Sequence, residues 1–211
     1  SLHDSLMARL DRSGPAKDIA QWGALLGREF TYEVIQLVAP HDQAVLMEGL
    51  ERLVELELVF QRGVARQAQY RFKHALVQEV AYQSLPRRRR QAGHQRIAHV
   101  LEAHFPQTVE AQPELLAYHY TEAGQAEAAV PYWQRAGQRA LQRSAHVEAV
   151  AQLTQGLTAL TSLPETTARW HQELNLQVAL GAAWMAVKGQ GAPDMKRAYA
   201  RARELCAQIG N

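Results

Sequence analysis

Hydrophobic residues recur along this chain mostly at spacings of three and four, which is the period of an amphipathic α-helix. The first stripe consists of three leucines: Leu2, Leu6 and Leu10. The run Ser-Gly-Pro at 13–15 ends it, and its proline suits the first turn of a second helix. Thr31 and Asp42 have the side chains of helix N-caps. The later stripes are Ile19, Trp22 and Leu26; Val34, Leu37 and Val38; and Leu46, Leu50, Leu53, Val54 and Leu58.

Two short segments change this period. Residues 58–62 read Leu-Val-Phe-Gln-Arg, and residues 69–72 alternate polar and aromatic side chains. Gly63 and a polar loop separate them, so the pattern predicts a β-hairpin. A further helix is predicted to begin near His74. Three helices, a hairpin and a closing helix describe a winged helix, and a length of about 75 residues suits one small domain.

After Pro113 the composition changes to alanine-rich helices with scattered aromatic residues. Small residues let two helices approach closely, and aromatic side chains fill the gaps between them. Seven positions have the spacing of a tetratricopeptide unit: Leu116, Ala117, Tyr120, Gly124, Ala129, Trp133 and Ala136. Parts of the spacing recur at Ala149, Leu153 and Gly156; at Leu180, Gly181 and Trp184; and at Ala198, Ala202 and Leu205. The intervals between these partial matches are uneven, so we expect degenerate repeats.

A dense run of positive charge follows Pro86: Arg87, Arg88, Arg89 and Arg90. We place the domain boundary here. The predicted fold class is therefore mainly α, with a winged helix over residues 1–90 and a tetratricopeptide-like (TPR-like) array of helical repeats over residues 91–211. Two interpretations of the arginine run remain open. It is either a solvated interdomain connection, or a contact with an anion or an acidic partner, because guanidinium groups bind phosphates and carboxylates bidentately.

Composition narrows the class of protein. The chain has 211 residues, of which 47% are hydrophobic and 21% charged, and its net charge of +2 indicates no general affinity for polyanions. The single cysteine, Cys206, excludes an internal disulfide. No stretch approaches the roughly 20 apolar residues that span a bilayer, and the start lacks the pattern of a signal peptide. We expect a cytoplasmic segment of a longer protein, with no membrane partner.

Catalytic motifs are missing from the sequence. It contains no Walker A motif, no His-Glu-x-x-His and no Gly-x-Ser-x-Gly. The nine histidines show no spacing typical of metal ligands. We therefore expect that this chain has no catalytic residue and no metal site.

The predicted recognition helix, near residues 42–57, is acidic. A helix that enters the major groove beside phosphates needs the opposite charge, so we expect no DNA binding by this domain. The helix has one basic residue, Arg52, against five acidic ones: Asp42, Glu48, Glu51, Glu55 and Glu57. Four basic residues in and near the hairpin still have the charge to contact a phosphate backbone: Arg62, Arg66, Arg71 and Lys73. The arm of a DNA-binding transcription regulator therefore stays an alternative function, as does a passive protein-interaction scaffold.

His74 is the most informative single residue, and two interpretations of it are open. It either caps or packs at the start of a helix, or it presents a nitrogen donor to a nucleotide phosphate outside the domain. Helix N-termini favour anions, which supports the second interpretation.

The first domain contains Asp-Ser-Leu at 4–6, Leu-Leu-Gly-Arg-Glu-Phe at 25–30 and Tyr-Arg-Phe-Lys-His-Ala-Leu-Val-Gln at 70–78. Together these segments resemble the winged helix of STAND ATPases. Residues 112–124, Gln-Pro-Glu-Leu-Leu-Ala-Tyr-His-Tyr-Thr-Glu-Ala-Gly, resemble the tetratricopeptide-type region that follows it. The resemblance implies a place in large bacterial signalling proteins, which join a class III adenylate or guanylate cyclase domain, a P-loop ATPase domain, a winged helix and a helical-repeat sensor.

The same resemblance implies a role for His74. The family's winged helix carries a Met-His-Asp motif, whose histidine contacts the β-phosphate of ADP held by the neighbouring ATPase domain. This chain has Lys73-His74-Ala75 at the corresponding position, so the histidine matches and both flanking residues differ. The implied function is regulatory: the winged helix senses whether the ATPase domain holds ADP or ATP, and the repeats bind a protein or ligand.

Overall fold

The structure, a computed structural model, describes residues 14–210, and over that range the chain is mainly helical. The predicted helix carrying Leu2, Leu6 and Leu10 lies outside the described residues. Residues 14–210 contain eleven α-helices and one three-stranded sheet. The chain divides into two compact units, one ending at Val100 and the other beginning at Leu101.

Short helices alternate with three strands in the first unit. Thr31 caps the second helix as predicted, since its Oγ1 accepts a hydrogen bond from the backbone N–H of Val34 at 3.3 Å. Asp42 stands at the N-cap of the third helix, but its side chain makes no capping bond. The elements are α1 (Pro15–Leu26), β1 (Glu29–Thr31), α2 (Tyr32–Val38), α3 (Gln43–Glu55), β2 (Val59–Arg62), a 3-10 turn (Ala65–Gln67), β3 (Gln69–Phe72), α4 (Ala75–Gln83) and α5 (Arg87–His104).

The three strands form one antiparallel sheet in the order β1-β3-β2. The predicted hairpin is present as β2 and β3, whereas β1 has only three residues and was not predicted. Phe30 on β1 lies opposite Tyr70 on β3, and Val59 on β2 lies opposite Phe72. These four side chains are buried, so one face of the sheet packs into the core. The ring centroids of Phe30 and Tyr70 are 5.6 Å apart.

The arginine run is helical, because residues 87–90 form the first turn of α5. The two units divide ten residues beyond the predicted boundary at 90/91. The reason is that the first part of α5 packs within the first unit. Gly93 approaches Leu25 so closely that an added Cβ would lie 2.5 Å from a methyl carbon. The Arg96 side chain donates a hydrogen bond to the carbonyl of Leu37 at 3.3 Å.

The second unit is a series of helices, and from α7 onward each helix packs against its neighbours in sequence. The turns between α7 and α8 and between α8 and α9 have three residues each, and Gly124 adopts a φ of 75° in the first. The helices are α6 (Pro106–Ala111), α7 (Pro113–Glu122), α8 (Ala126–Gln142), α9 (His146–Leu160), α10 (Thr167–Lys188) and α11 (Pro193–Ile209).

Small residues bring these helices together, as predicted. A Cβ added to Gly137 on α8 would lie 2.4 Å from Leu153 on α9. One added to Gly181 on α10 would lie 2.7 Å from the ring of Tyr199 on α11. Most of the positions that match the spacing of a tetratricopeptide unit are buried: Leu116, Ala117, Tyr120, Ala129, Trp133, Ala136, Ala149, Leu153, Leu180, Ala198, Ala202 and Leu205.

Candidate functional site

His74 is the N-cap residue of α4 and directly follows the surface residue Lys73. Its backbone is extended, with φ −133° and ψ 143°, and its carbonyl accepts a hydrogen bond from the N–H of Val77 at 3.0 Å. Its side chain makes no capping bond and is exposed. Within residues 14–210 the imidazole has no hydrogen-bond or ion-pair partner. The backbone of His74 therefore starts the helix, and its side chain is exposed to solvent.

The local sequence explains this exposure. Phe72 ends β3 fully inside the core, and Val77 returns the chain to the core within the first turn of α4. The residues between them therefore cross the surface. The first turn of α4 contains no acidic side chain, so none of its carboxylates offsets the partial positive charge of the helix N-terminus. An anion that approaches His74 meets that positive end of the helix dipole.

The four arginines of the run differ in whether their side chains contact the rest of the first unit. Arg89 lies 3.2 Å from the Asp18 carboxylate, and the Arg90 guanidinium lies 5.0 Å from the centroid of the Tyr82 ring. Arg87 and Arg88 are exposed and have no side-chain partner in the described part of the chain. Arg89 and Arg90 are thus engaged in the fold of the first unit, whereas Arg87 and Arg88 are not. Among the described residues, no contact joins the run to His74.

The exposed face of α3 has the acidic character that the sequence predicts. Glu48, Glu51 and Glu55 are all exposed. Arg52 is also exposed and binds Glu55 at 2.9 Å, so the one basic residue of the helix is already paired with a carboxylate. These side chains border a shallow groove of about 310 Å³ beside the start of α1. The surface that would meet DNA in a recognition-helix arrangement is therefore negatively charged.

The outer face of the sheet carries a feature that sequence reasoning missed. Phe60 on β2 is 47% exposed, and it lies opposite Arg71 on the central strand. The guanidinium of Arg71 is 5.9 Å and the ammonium of Lys73 is 5.5 Å from the Phe60 ring centroid. The sequence pattern predicted a strand over residues 58–62, but not that two cations flank the ring of Phe60.

A carboxylate at the end of α5 organises the aromatic residues of the second unit. Glu102 accepts hydrogen bonds from the hydroxyls of Tyr120 and Tyr132, the latter at 2.6 Å. Burial, followed by the hydrogen bond to Glu102, raises the pKa of Tyr132 to about 12 and also raises the pKa of Tyr120. Trp133 donates its indole N–H to Thr121 at 2.9 Å. Tyr120 and Trp133 are only 5% and 8% exposed, so the prediction that both are packing residues is confirmed.

Across residues 14–210, no three or more His, Cys, Asp and Glu side chains are grouped so that they could hold a metal ion. In the same part of the chain, no helix is both long enough and apolar enough to cross a bilayer.

The chain is similar to part of a longer protein. The chain is 27% identical over 201 residues to an uncharacterized protein of Rhizobium meliloti. The alignment covers 95% of this chain but only 20% of that protein, so the chain spans about one fifth of the relative's length. No family model matches the chain, and no solved structure matches it significantly.

Proposed function

We propose that this chain is the regulatory region of a multidomain signalling protein of the STAND ATPase type, with a winged helix followed by TPR-like repeats. The observation that carries the proposal is the exposed, unpartnered His74 at the N-terminus of α4. A histidine at this position can donate a hydrogen bond to a phosphate held by a neighbouring ATPase domain. The relative's much greater length is consistent with such a multidomain arrangement.

The element order of the first unit supports the winged-helix assignment. Helices α1, α2 and α3 pack around the sheet, and the hairpin of β2 and β3 follows α3 as a wing. The short strand β1 completes the sheet on the other side of β3, between α1 and α2. Exposed carboxylates on α3 argue against the use of this domain as a DNA reader and favour a protein neighbour.

The helix series of the second unit supports the repeat assignment. In a solenoid each helix pair contacts its neighbours, and the stack presents an extended surface that binds a protein or ligand. The three-residue turns and the close approaches at Gly137 and Gly181 are compatible with stacked helix pairs. In the proposed protein, the repeats receive the signal and the winged helix conveys it to the ATPase domain.

His74 would act as the nucleotide sensor. A hydrogen bond between a histidine N–H and a phosphate oxygen is charge-assisted and contributes roughly 1.5–3 kcal/mol. It forms only in the state in which the winged helix packs against the ADP-loaded ATPase domain. Because a contact shifts an equilibrium only when it differs between two states, this bond favours the closed state. The output we propose is cyclic-nucleotide synthesis by a cyclase domain of the same cytoplasmic protein, and we expect no catalytic residue in this chain.

The test is His74→Ala in the full-length protein, with the rate of ADP release and the output activity as readouts. We expect faster ADP release and higher output, by up to about a hundredfold, since every 1.4 kcal/mol changes an equilibrium tenfold. His104→Ala is the matched control, because His104 is also exposed, at the end of α5. Unchanged ADP release together with unchanged output in His74→Ala would contradict the sensor role.

One observation favours a second candidate, the DNA-binding arm. Arg62, Arg66 and Arg71 are exposed on the hairpin and its connecting turn. If the wing contacts DNA, binding of the chain to duplex DNA should fall steeply as salt rises and should be lost in Arg62→Ala with Arg66→Ala. Micromolar binding near physiological salt would favour this candidate over the regulatory one.

A further inference from the structure

The outer face of the three-stranded sheet is exposed and has an aromatic centre. A row of side chains crosses all three strands, because Glu29 lies opposite Arg71 and Arg71 lies opposite Phe60. Phe60 is 47% exposed, although Phe30, Val59, Tyr70 and Phe72 on the other face of the sheet are buried. Arg62 and Lys73 lie at the two ends of the same surface. We call Phe60, Arg62, Arg71 and Lys73 the wing face.

The wing face has more basic side chains than there are carboxylates beside it, so it keeps a net positive charge. Glu29 is 3.7 Å from Arg71 and Glu57 is 3.1 Å from Lys73, and both carboxylates are mostly exposed. Arg62 has no carboxylate partner among residues 14–210. An aromatic side chain surrounded by arginine and lysine is a composition typical of protein interfaces, where aromatic and arginine side chains are enriched.

A surface of opposite charge lies on the same unit. Glu48, Glu51 and Glu55, the acidic face of α3, extend over seven residues of helix or about 10 Å. On the sheet, the wing face extends from Arg62 to Lys73. Arg62 lies opposite Gln69, and Lys73 is four residues beyond Gln69 along the chain, which corresponds to about 13 Å. The two charged surfaces therefore have similar lengths as well as opposite signs.

We propose that the first unit self-associates, with the wing face of one copy docked on the acidic face of α3 in a second copy. Charge complementarity selects a second copy as the occupant, because this chain itself supplies the matching acidic surface. A two-fold pair of copies would form both contacts at once, as in an isologous dimer.

The experiment is sedimentation velocity of the complete 211-residue chain over a range of concentrations. We expect a concentration-dependent dimer at about 50 mM salt that dissociates at about 500 mM, because salt screens charges separated by more than the Debye length. A chain that stays monomeric at low salt and high concentration would overturn the proposal.

Charge reversal locates the interface. Arg71→Glu with Lys73→Glu, and separately Glu48→Lys with Glu51→Lys, should each weaken the dimer roughly a hundredfold, since like charges then face each other. Mixing the two variants should restore a heterodimer, because each carries a surface complementary to the other's. Lys196→Glu with Arg203→Glu on α11 is the control for net charge and should leave the dimer unchanged.

Phe60→Ser tests the apolar centre of the contact without altering charge. We expect loss of the dimer with an unchanged thermal midpoint, because the ring lies on the outer face. A dimer that survives both reversals would overturn the proposal. So would a mixture of the two reversed variants that stays monomeric, or a monomeric wild type whose wing face binds duplex DNA instead.

Discussion

The two units differ in the side chains that they bury and in how their elements pack. Within residues 14–210, the fully buried side chains of the first unit include the aromatic residues Tyr32, Tyr70 and Phe72, whereas the largest ones of the second unit are leucines such as Leu116, Leu153 and Leu176. The first unit surrounds a sheet whose strands pair residues about forty positions apart, such as Phe30 and Tyr70. The second unit packs alanine and glycine between helices that follow one another in the chain. A local defect should therefore affect the two units differently.

The largest expected effect is the truncation of one buried aromatic residue in each unit. Phe72→Ala and Trp133→Ala should each cost about 3–5 kcal/mol of unfolding free energy. Phe72→Ala should remove hydrogen-exchange protection throughout the first unit, because the sheet joins distant segments. Trp133→Ala should reduce protection mainly in α7, α8 and α9. Unchanged thermal stability in Trp133→Ala would show that its assignment as a packing residue is wrong.

A smaller effect is expected where two helices touch. Gly137→Ala places a methyl group 2.4 Å from Leu153, and such overpacking costs about 1–3 kcal/mol. Gly191→Ala is the matched control, because nothing lies within 4 Å of its added Cβ. Chemical denaturation of both variants measures the difference. Equal stability of the two variants would contradict the close approach of α8 and α9.

The tyrosine cluster makes the second unit sensitive to high pH. The pKa of Tyr132 is raised from 10.0 to about 12, so the folded state holds the phenolic proton more tightly than the unfolded chain. This contribution to stability is fully present below pH 10 and is lost as the pH rises through about 12. In denaturation midpoints between about pH 9 and 11.5, Tyr132→Phe should flatten the alkaline decline. An identical decline in wild type and variant would exclude Tyr132 as its cause.

The smallest effects concern the arginine run. Arg89→Ala removes a partly exposed ion pair with Asp18, and exposed pairs contribute about 0–1 kcal/mol. Arg87→Ala should change the unfolding free energy by less than about 0.5 kcal/mol, since surface substitutions away from specific contacts are nearly neutral. Denaturation curves of the two variants give the comparison. A larger loss of unfolding free energy in Arg87→Ala than in Arg89→Ala would show that Arg87, and not Arg89, stabilises the first unit.

Much of the fold was predictable because it depends on local patterns. The helical period, the cap at Thr31 and the hairpin after Leu58 each depend on a few adjacent residues. Strand β1 was not predictable, since three residues are too few to show an alternating period and its partner lies forty positions away. The boundary between the two units lies ten residues later than the predicted one, because the pattern of the arginine run does not show that it begins a helix packed within the first unit.

The candidate site was predictable in part. The position of His74 followed from the strand and the helix around it, but its exposure did not, because a capping histidine and a solvent-facing one have the same sequence pattern. Glu102 could not be found, since its partners lie 18 and 30 positions further along the chain. The exposure of Phe60 could not be predicted either, because the pattern of residues 58–62 indicates only a strand.

We propose above all that His74 contacts the phosphate of ADP in the intact protein. Chemical modification of histidine, followed by mass spectrometry, measures this contact directly. In the chain alone His74 is exposed and should react at a rate similar to that of His104. In the full-length protein, bound ADP should protect His74 relative to the nucleotide-free state, while His104 stays reactive in both. Equal modification of His74 with and without ADP would contradict the account.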